Sequence, residues 1–258
     1  TAQHDDGEPW SHPRQNIGVD HLAGSLALQD LGPIQELIVG DFQAGFGQGL
    51  ALWSSLAFGK SAATTDVKRY NSGFRAFRGA EENRFFRGIA TSLKHQNWGL
   101  DLFFSRHAMD GTISRRDSSR QPARVSALPV SGLHRTPTEI AKKHVNTLQS
   151  MGGHLSYRWQ RLQLGLTAVD HRLEIPLVPR DRAYRRFRFQ GQHGQNFALD
   201  FNYLYRHFNF FGEFALDQQG ASATTLGLQM HPRDDFRFTL LLRSLDKKYQ
   251  ALFSAPFA

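Results

Sequence analysis

Cysteine is absent from the 258 residues, so neither a disulfide framework nor a thiolate metal site is available to this chain. No apolar run approaches the roughly eighteen residues of a transmembrane helix, which excludes that class of membrane protein. Thr1 is preceded by no methionine, basic n-region or apolar h-region, and the expectation is a portion of a longer chain whose export signal lies elsewhere. Nothing in the composition breaks the chain in two, so residues 1–258 read as one domain. Negative charge is the minority sign: the formal balance is +8, the pI is near 10 and the mean hydropathy is −0.46. That balance suits anionic partners, and where the charge sits decides which.

What is present is alternation. Phe197, Leu199, Phe201, Tyr203 and Tyr205 share one parity, opposite Asn196, Ala198, Asp200 and Asn202. The period returns as Phe208, Phe210, Gly212, Phe214 and Leu216, as Thr224, Leu226, Leu228 and Met230, and as Phe236, Phe238, Leu240 and Leu242. Successive side chains on a strand point to opposite faces, so each run is a strand with one greasy and one polar face. Runs of about ten residues match a tilted strand that crosses a bilayer.

Weaker hairpins precede these, at Val19 to Phe46 around Leu31-Gly32-Pro33, at Arg84 to His107, and at Leu155 to Ala168 around Gln160-Arg161. The connections alternate in length: short at 31–33, long at 47–83, short at 94–97, long at 108–151, short at 160–161, long at 173–194 and short at 206–207. Only 217–221 is shorter than that scheme expects. The fold class this predicts is all-β: an antiparallel up-and-down transmembrane β-barrel of about ten strands, part of a larger barrel. Trp98, Trp159, Tyr203, Tyr205 and Phe208 fall near the short turns, as an interfacial girdle requires. The stretch 47–83, with Gly45, Gly47 and Gly49 at its start, reads as a long loop or as a segment folded inward. Thr136-Pro137-Thr138-Glu139 is a capping box, and a short helix is expected from about Pro137 to about Gln149. The tail 246–258 reads as the start of a further strand.

Gly40-Asp41-Phe42, Phe46-Gly47-Gln48-Gly49-Leu50, Leu52-Trp53, Phe58-Gly59-Lys60-Ser61, Glu82 to Gly88 and Ser131 to Thr136 resemble the barrel of Bacteroidota outer-membrane proteins of the helix-hairpin-helix (ComEA-like) domain-containing family. The resemblance covers most of the chain and implies an outer-membrane location. The DNA-binding helix-hairpin-helix module that precedes the family's barrel has no counterpart here, so no nucleic-acid role transfers to any residue.

Candidate chemistry is thin. Gly59-Lys60-Ser61 looks like the end of a phosphate-binding loop, but Ser54 stands where the leading glycine belongs, and a loop lysine is the better reading. No histidine pair has metal-ligand spacing, His134 and His144 included, and no nucleophile-base-acid motif is visible; no cofactor, no metal and no catalysis are expected. Two arginine groups stand out: Arg115, Arg116, Arg120 and Arg124, and Arg180, Arg182, Arg185, Arg186 and Arg188. Their planar forks suit the phosphates of lipopolysaccharide or nucleic acid, although a solvated basic loop is the favoured reading. The polar parity assigns Arg158, Gln163, Asp200, Asn202, Glu213, Gln229, Arg237 and Arg243 to a lumen. The expected role is non-enzymatic envelope transport or surface interaction, porin-like or plugged, with outer-membrane lipid as partner. The alternatives are a binding or assembly barrel that docks envelope partners or handles DNA together with a helix-hairpin-helix module not in this chain, or a soluble lipocalin-like ligand-binding barrel with its greasy parity turned inward.

Overall fold

The computed structural model describes residues 2–3, 21–55, 65, 67–79, 84–119, 121–129, 134–182, 188–233 and 235–255. In chain order these form β1 (Ala2–Gln3), β2 (His21–Leu22), β3 (Ser25–Leu31), β4 (Ile34–Gly45), β5 (Gly73–Ala76), β6 (Phe86–His95), β7 (Trp98–Met109), β8 (Thr112–Arg116), β9 (Pro122–Ala127), α1 (Pro137–Ile140), β10 (Asn146–Trp159), β11 (Leu162–Leu177), β12 (Gly191–Tyr205), β13 (Phe208–Asp217), β14 (Ser222–Arg233) and β15 (Phe236–Leu245).

One antiparallel path, β15-β14-β13-β12-β11-β10-β7-β6-β4-β3, carries the fold, with β5 added to β4 and the β8-β9 hairpin leaning on β11. Its tight turns are two residues long. Trp159 pairs with Leu162 and Tyr205 with Phe208. Gln96, Gln160 and Arg206 take φ of 52°, 51° and 52°. That left-handed backbone gives a two-residue turn the twist its flanking strands need.

The two ends of the path, β3 and β15, do not pair with each other, so the sheet is open and the closed transmembrane barrel expected from the alternation is corrected. An unclosed sheet leaves a row of edge N–H and C=O groups, and hydrocarbon offers them no partner. The outer-membrane location, the porin-like transport role and the lipid or lipopolysaccharide partnership rested on closure and fall with it. The chain also contains no helix long and apolar enough to cross a membrane among the described residues, which bears on helices alone.

Three smaller expectations change too. The capping box is there, with Thr136 Oγ1 accepting from Glu139 N–H and the Glu139 carboxylate accepting from Thr136 N–H, but α1 lasts only four residues. The chain turns at His144 (φ 50°) and enters β10, nine residues earlier than Leu155, where the alternation becomes visible. Within 108–151 the supposed loop contains the β8-β9 hairpin, and residues 246–255 form no strand.

Residues 46–55, 65, 67–77 and 249–255 pack together on one face of the sheet. Phe46 stacks on His154 of β10 at 4.8 Å, while Thr65 O accepts from Gln229 Nε2 of β14 and Thr239 Oγ1 of β15. Trp53 N–H donates to Phe253 O, and Ala255 N–H to Gly49 O. Strands from both halves of the path reach these covering segments, so the sheet bends around them. Under β4 to β7 the covered layer is aromatic, with Phe42, Phe74, Phe86 and Phe103 at centroid separations of 5.1 to 6.0 Å.

Candidate functional site

Two layers of β10 to β15 differ in kind. On the uncovered face, registered pairs place Leu100, Leu155, Leu166, Leu199 and Phe214 in one row across β7, β10, β11, β12 and β13. A second row runs Tyr157, Leu164, Phe201, Gly212, Leu226 and Leu242. Gly212 does not interrupt it, because the side chains of Phe201 and Leu226 close over the space a Cβ would occupy. Parity does this: Leu199 is 55% exposed beside Ala198 at 3%, and Phe214 is 44% exposed beside Ala215 at 0%. Near the short turns the face becomes aromatic, with Trp98 4.5 Å from Tyr157 and Tyr203 6.4 Å from Phe210.

The covered face of the same strands is polar and small. Glu213 is buried, and its carboxylate accepts from the backbone N–H groups of Gln48 at 2.5 Å, Leu50 at 3.1 Å and Ala51 at 3.2 Å. Gly47 (φ 58°) is the residue that lets the chain pass: a Cβ there would stand 2.8 Å from Glu213 Oε2. Ala198, Ala215 and Ala223 make room for Leu50 and Ala51, and Tyr249 donates from its hydroxyl to Leu50 O. Burial pushes Glu213 up to about 7 and Asp200 up to about 6. Lys68 donates to Asn202 Oδ1 at 2.6 Å, and burial lowers its pKa.

Three hydroxyl-imidazole pairs share this layer: Ser150 with His171 at 2.8 Å, Thr167 with His154 at 2.9 Å, and Ser105 with His107 at 3.5 Å. Burial drives the histidines down, to about 3 for His171 and about 4 for His154 and His107. A nucleophile needs a substrate at its oxygen, and these oxygens lie beneath the covering segments. Ser150–His171 and Thr167–His154 tie β10 to β11, whereas Ser105–His107 links two residues of β7.

The residues singled out by parity divide accordingly. Asp200, Asn202, Glu213 and Gln229 meet the covering segments and Gln163 is half-buried, whereas Arg158, Arg237 and Arg243 are exposed. Arg237 and Arg243 lie on the terminal strand β15, where the cover runs out. Of the arginine groups, Arg115, Arg116 and Arg124 sit on the β8-β9 hairpin, and Arg180, Arg182 and Arg188 flank the β11 to β12 connection, all exposed. The structure does not bring the two groups into one cluster. Arg120, Arg185, Arg186 and the Gly59-Lys60-Ser61 stretch lie outside the described residues. His134 and His144 do meet, through Asp110, which bonds His134 Nε2 at 2.6 Å and accepts from the backbone N–H of His144 at 3.0 Å. No group of three metal-ligating side chains occurs among the described residues. Sequence reasoning missed Lys143 and the Asp110-His134 pair; the run Lys142-Lys143-His144 after the capping box was the available signal.

No family model, no curated protein and no solved structure matches this chain. The resemblance to the Bacteroidota helix-hairpin-helix barrel family therefore has no support from comparison, and the open sheet lacks the closure it implied.

Proposed function

We propose that this chain is a non-catalytic assembly protein whose uncovered sheet face docks against an apolar surface of a partner protein. The observation that carries this is the continuity of the two apolar rows from Leu100 to Phe214 and from Tyr157 to Leu242. Side chains of that size at about half exposure amount to on the order of 1,000 Å² of apolar surface, above the few hundred Å² of the largest patch on a typical monomer. Burial of such a face at roughly 25 cal/mol per Å² supplies the driving force for association, less the cost of lost freedom. The lipocalin-like alternative lacks its ligand space, because covering segments and a polar layer fill the side where a greasy interior would be.

The test is photo-crosslinking in the producing cell, with a benzophenone side chain at Leu199, Phe214 or Leu240 and, as controls, at Thr225 or Gln229. A discrete protein adduct is expected from the first three positions and none from the controls. Adducts to lipid alone, or quenching by water at all five positions, would remove a protein as the occupant of this face.

A further inference from the structure

The two ends of the sheet path are edges of unlike character, and each supplies what the other lacks. β3 is exposed at all seven of its residues, and β15 is exposed over most of its length. Asp246 N–H donates to Ser222 O, and Asp41 N–H to Gly24 O. Bonded and non-bonded pairs alternate along an antiparallel ladder, so Arg237, Thr239, Leu241 and Arg243 on β15 turn their backbone groups away from β14. By the same count Ser25, Ala27 and Gln29 on β3 turn theirs away from β4. Neither strand contains proline or lysine, two of the usual guards of a free edge.

The side chains match as well as the backbones do. On the covered parity, Gln29 of β3, Glu36 of β4, Ser92 of β6 and Asp101 of β7 lie in one registered row. With Asp30 they line an open hollow of about 510 Å³, and no basic side chain lines it among the described residues. Arg237 and Arg243 hold the same parity on β15, and both are exposed. On the uncovered parity, Leu26 and Leu28 of β3 and Phe238 and Leu240 of β15 are exposed. A two-fold pairing of β15 with itself, centred on the strand, sets Arg237 against Arg243 twice, and like charges directly opposite each other destabilise a sheet.

We infer that a second copy of this chain is the partner of these edges, its β3 adding antiparallel to β15 head to tail. The register that satisfies both edges sets Gln29 opposite Arg237, Ala27 opposite Thr239 and Ser25 opposite Leu241, all with their backbone groups facing. Leu28 then meets Phe238 and Leu26 meets Leu240, which carries the apolar face across the junction. Neighbouring strands lie about 4.8 Å apart, so Arg237 stands two spacings from Glu36 and its side chain spans Gln29 to reach the carboxylate. Each copy contributes a different surface, so the contact builds chains or rings rather than a two-fold dimer. It lies at the edges and stands whether or not the uncovered face has a partner of its own.

With no native cysteine in the chain, Leu28→Cys and Phe238→Cys chains can be mixed and oxidised, and the non-hydrogen-bonded pair they form is close enough for a disulfide. A link between the two different chains is expected in preference to either like pair, and Leu28→Cys with the out-of-register Leu242→Cys should give roughly tenfold less. One chain carrying both Leu28→Cys and Phe238→Cys should give a ladder of linked copies. Sedimentation velocity of the parent should show association that rises with concentration. Arg237→Glu should weaken it roughly tenfold or more, and mixing that chain with Glu36→Arg should restore it. Leu199→Asn, on the docking face and away from both edges, should leave it unchanged. A parent that stays monomeric, a doubly substituted chain that closes on itself, or a dominant like pair from Phe238→Cys alone overturns the inference. So does association that Leu199→Asn abolishes and Arg237→Glu leaves intact, which would place the contact on the uncovered face instead.

Discussion

Ala198 and Leu199 are neighbours on β12, as Ala215 and Phe214 are on β13, yet within each pair the small residue is sealed and the large apolar one is in the open. A domain that hides its grease does the opposite. The contrast teaches that hydrophobic burial alone does not organise this half of the sheet: its covered side is held by hydrogen bonds, with Glu213 at their centre, and its uncovered side is left for another surface. Under β4 to β7 the covered layer is built of Phe42, Phe74, Phe86 and Phe103 instead, so the covering segments rest on aromatic packing at one end and on a carboxylate at the other.

Acid should break the covered side first and most severely. His107, His154 and His171 are held neutral in the fold with pKa values lowered to about 4, 4 and 3, so the stability they contribute is present above their ordinary value near 6.5 and is lost as pH falls toward 4. Asp200 and Glu213 oppose this. Their raised values favour the protonated form in the fold, which adds stability as pH falls from about 7 to about 4. Three imidazoles against two carboxylates leave a net loss, read as a falling urea midpoint between pH 6.5 and 4, and His171→Gln should flatten the profile.

Glu213→Ala comes next, because it strands the buried backbone N–H groups of Leu50 and Ala51 and the half-buried one of Gln48, at about 1–3 kcal/mol for each buried group. A loss of roughly 3–5 kcal/mol in chemical denaturation is expected after partial relaxation. Gly227→Ala should cost about 1–3 kcal/mol by overpacking, since its Cβ would lie 2.0 Å from the buried ring of Phe211. On the uncovered side the same kind of measurement should barely move. Leu199→Asn is expected to stay within about 0.5 kcal/mol of the parent in stability while weakening the partner adduct from Phe214.

Much of the strand pattern was legible, and for a local reason. Phe197 to Leu245 alternates so regularly that β12 to β15 can be read to within a few residues, and the tight turns at Gln160-Arg161 and Arg206-His207 stand between the runs. Closure was not legible. Whether β3 meets β15 depends on two strands some two hundred residues apart in sequence, and no side-chain period reports on that. The helix was overextended because Thr136 and Glu139 announce where a helix begins, while its end was set by His144 and by pairing of Asn146 to Trp159 with two strands. Among the site residues, parity alone put Asp200 and Glu213 on one face. That Glu213 accepts three N–H groups followed from Gly47 and Gly49 bringing the backbone close, a long-range contact that alternation does not encode.

Because the chain lacks cysteine, the inverted arrangement of its two faces can be measured directly by maleimide labelling of single-cysteine variants. Leu199→Cys, Phe214→Cys and Leu240→Cys should label in the folded chain at rates near those of the unfolded chain, while Ala198→Cys, Ala215→Cys and Thr225→Cys should label slower by orders of magnitude. The reverse order, with positions 198, 215 and 225 reacting first, would contradict the account.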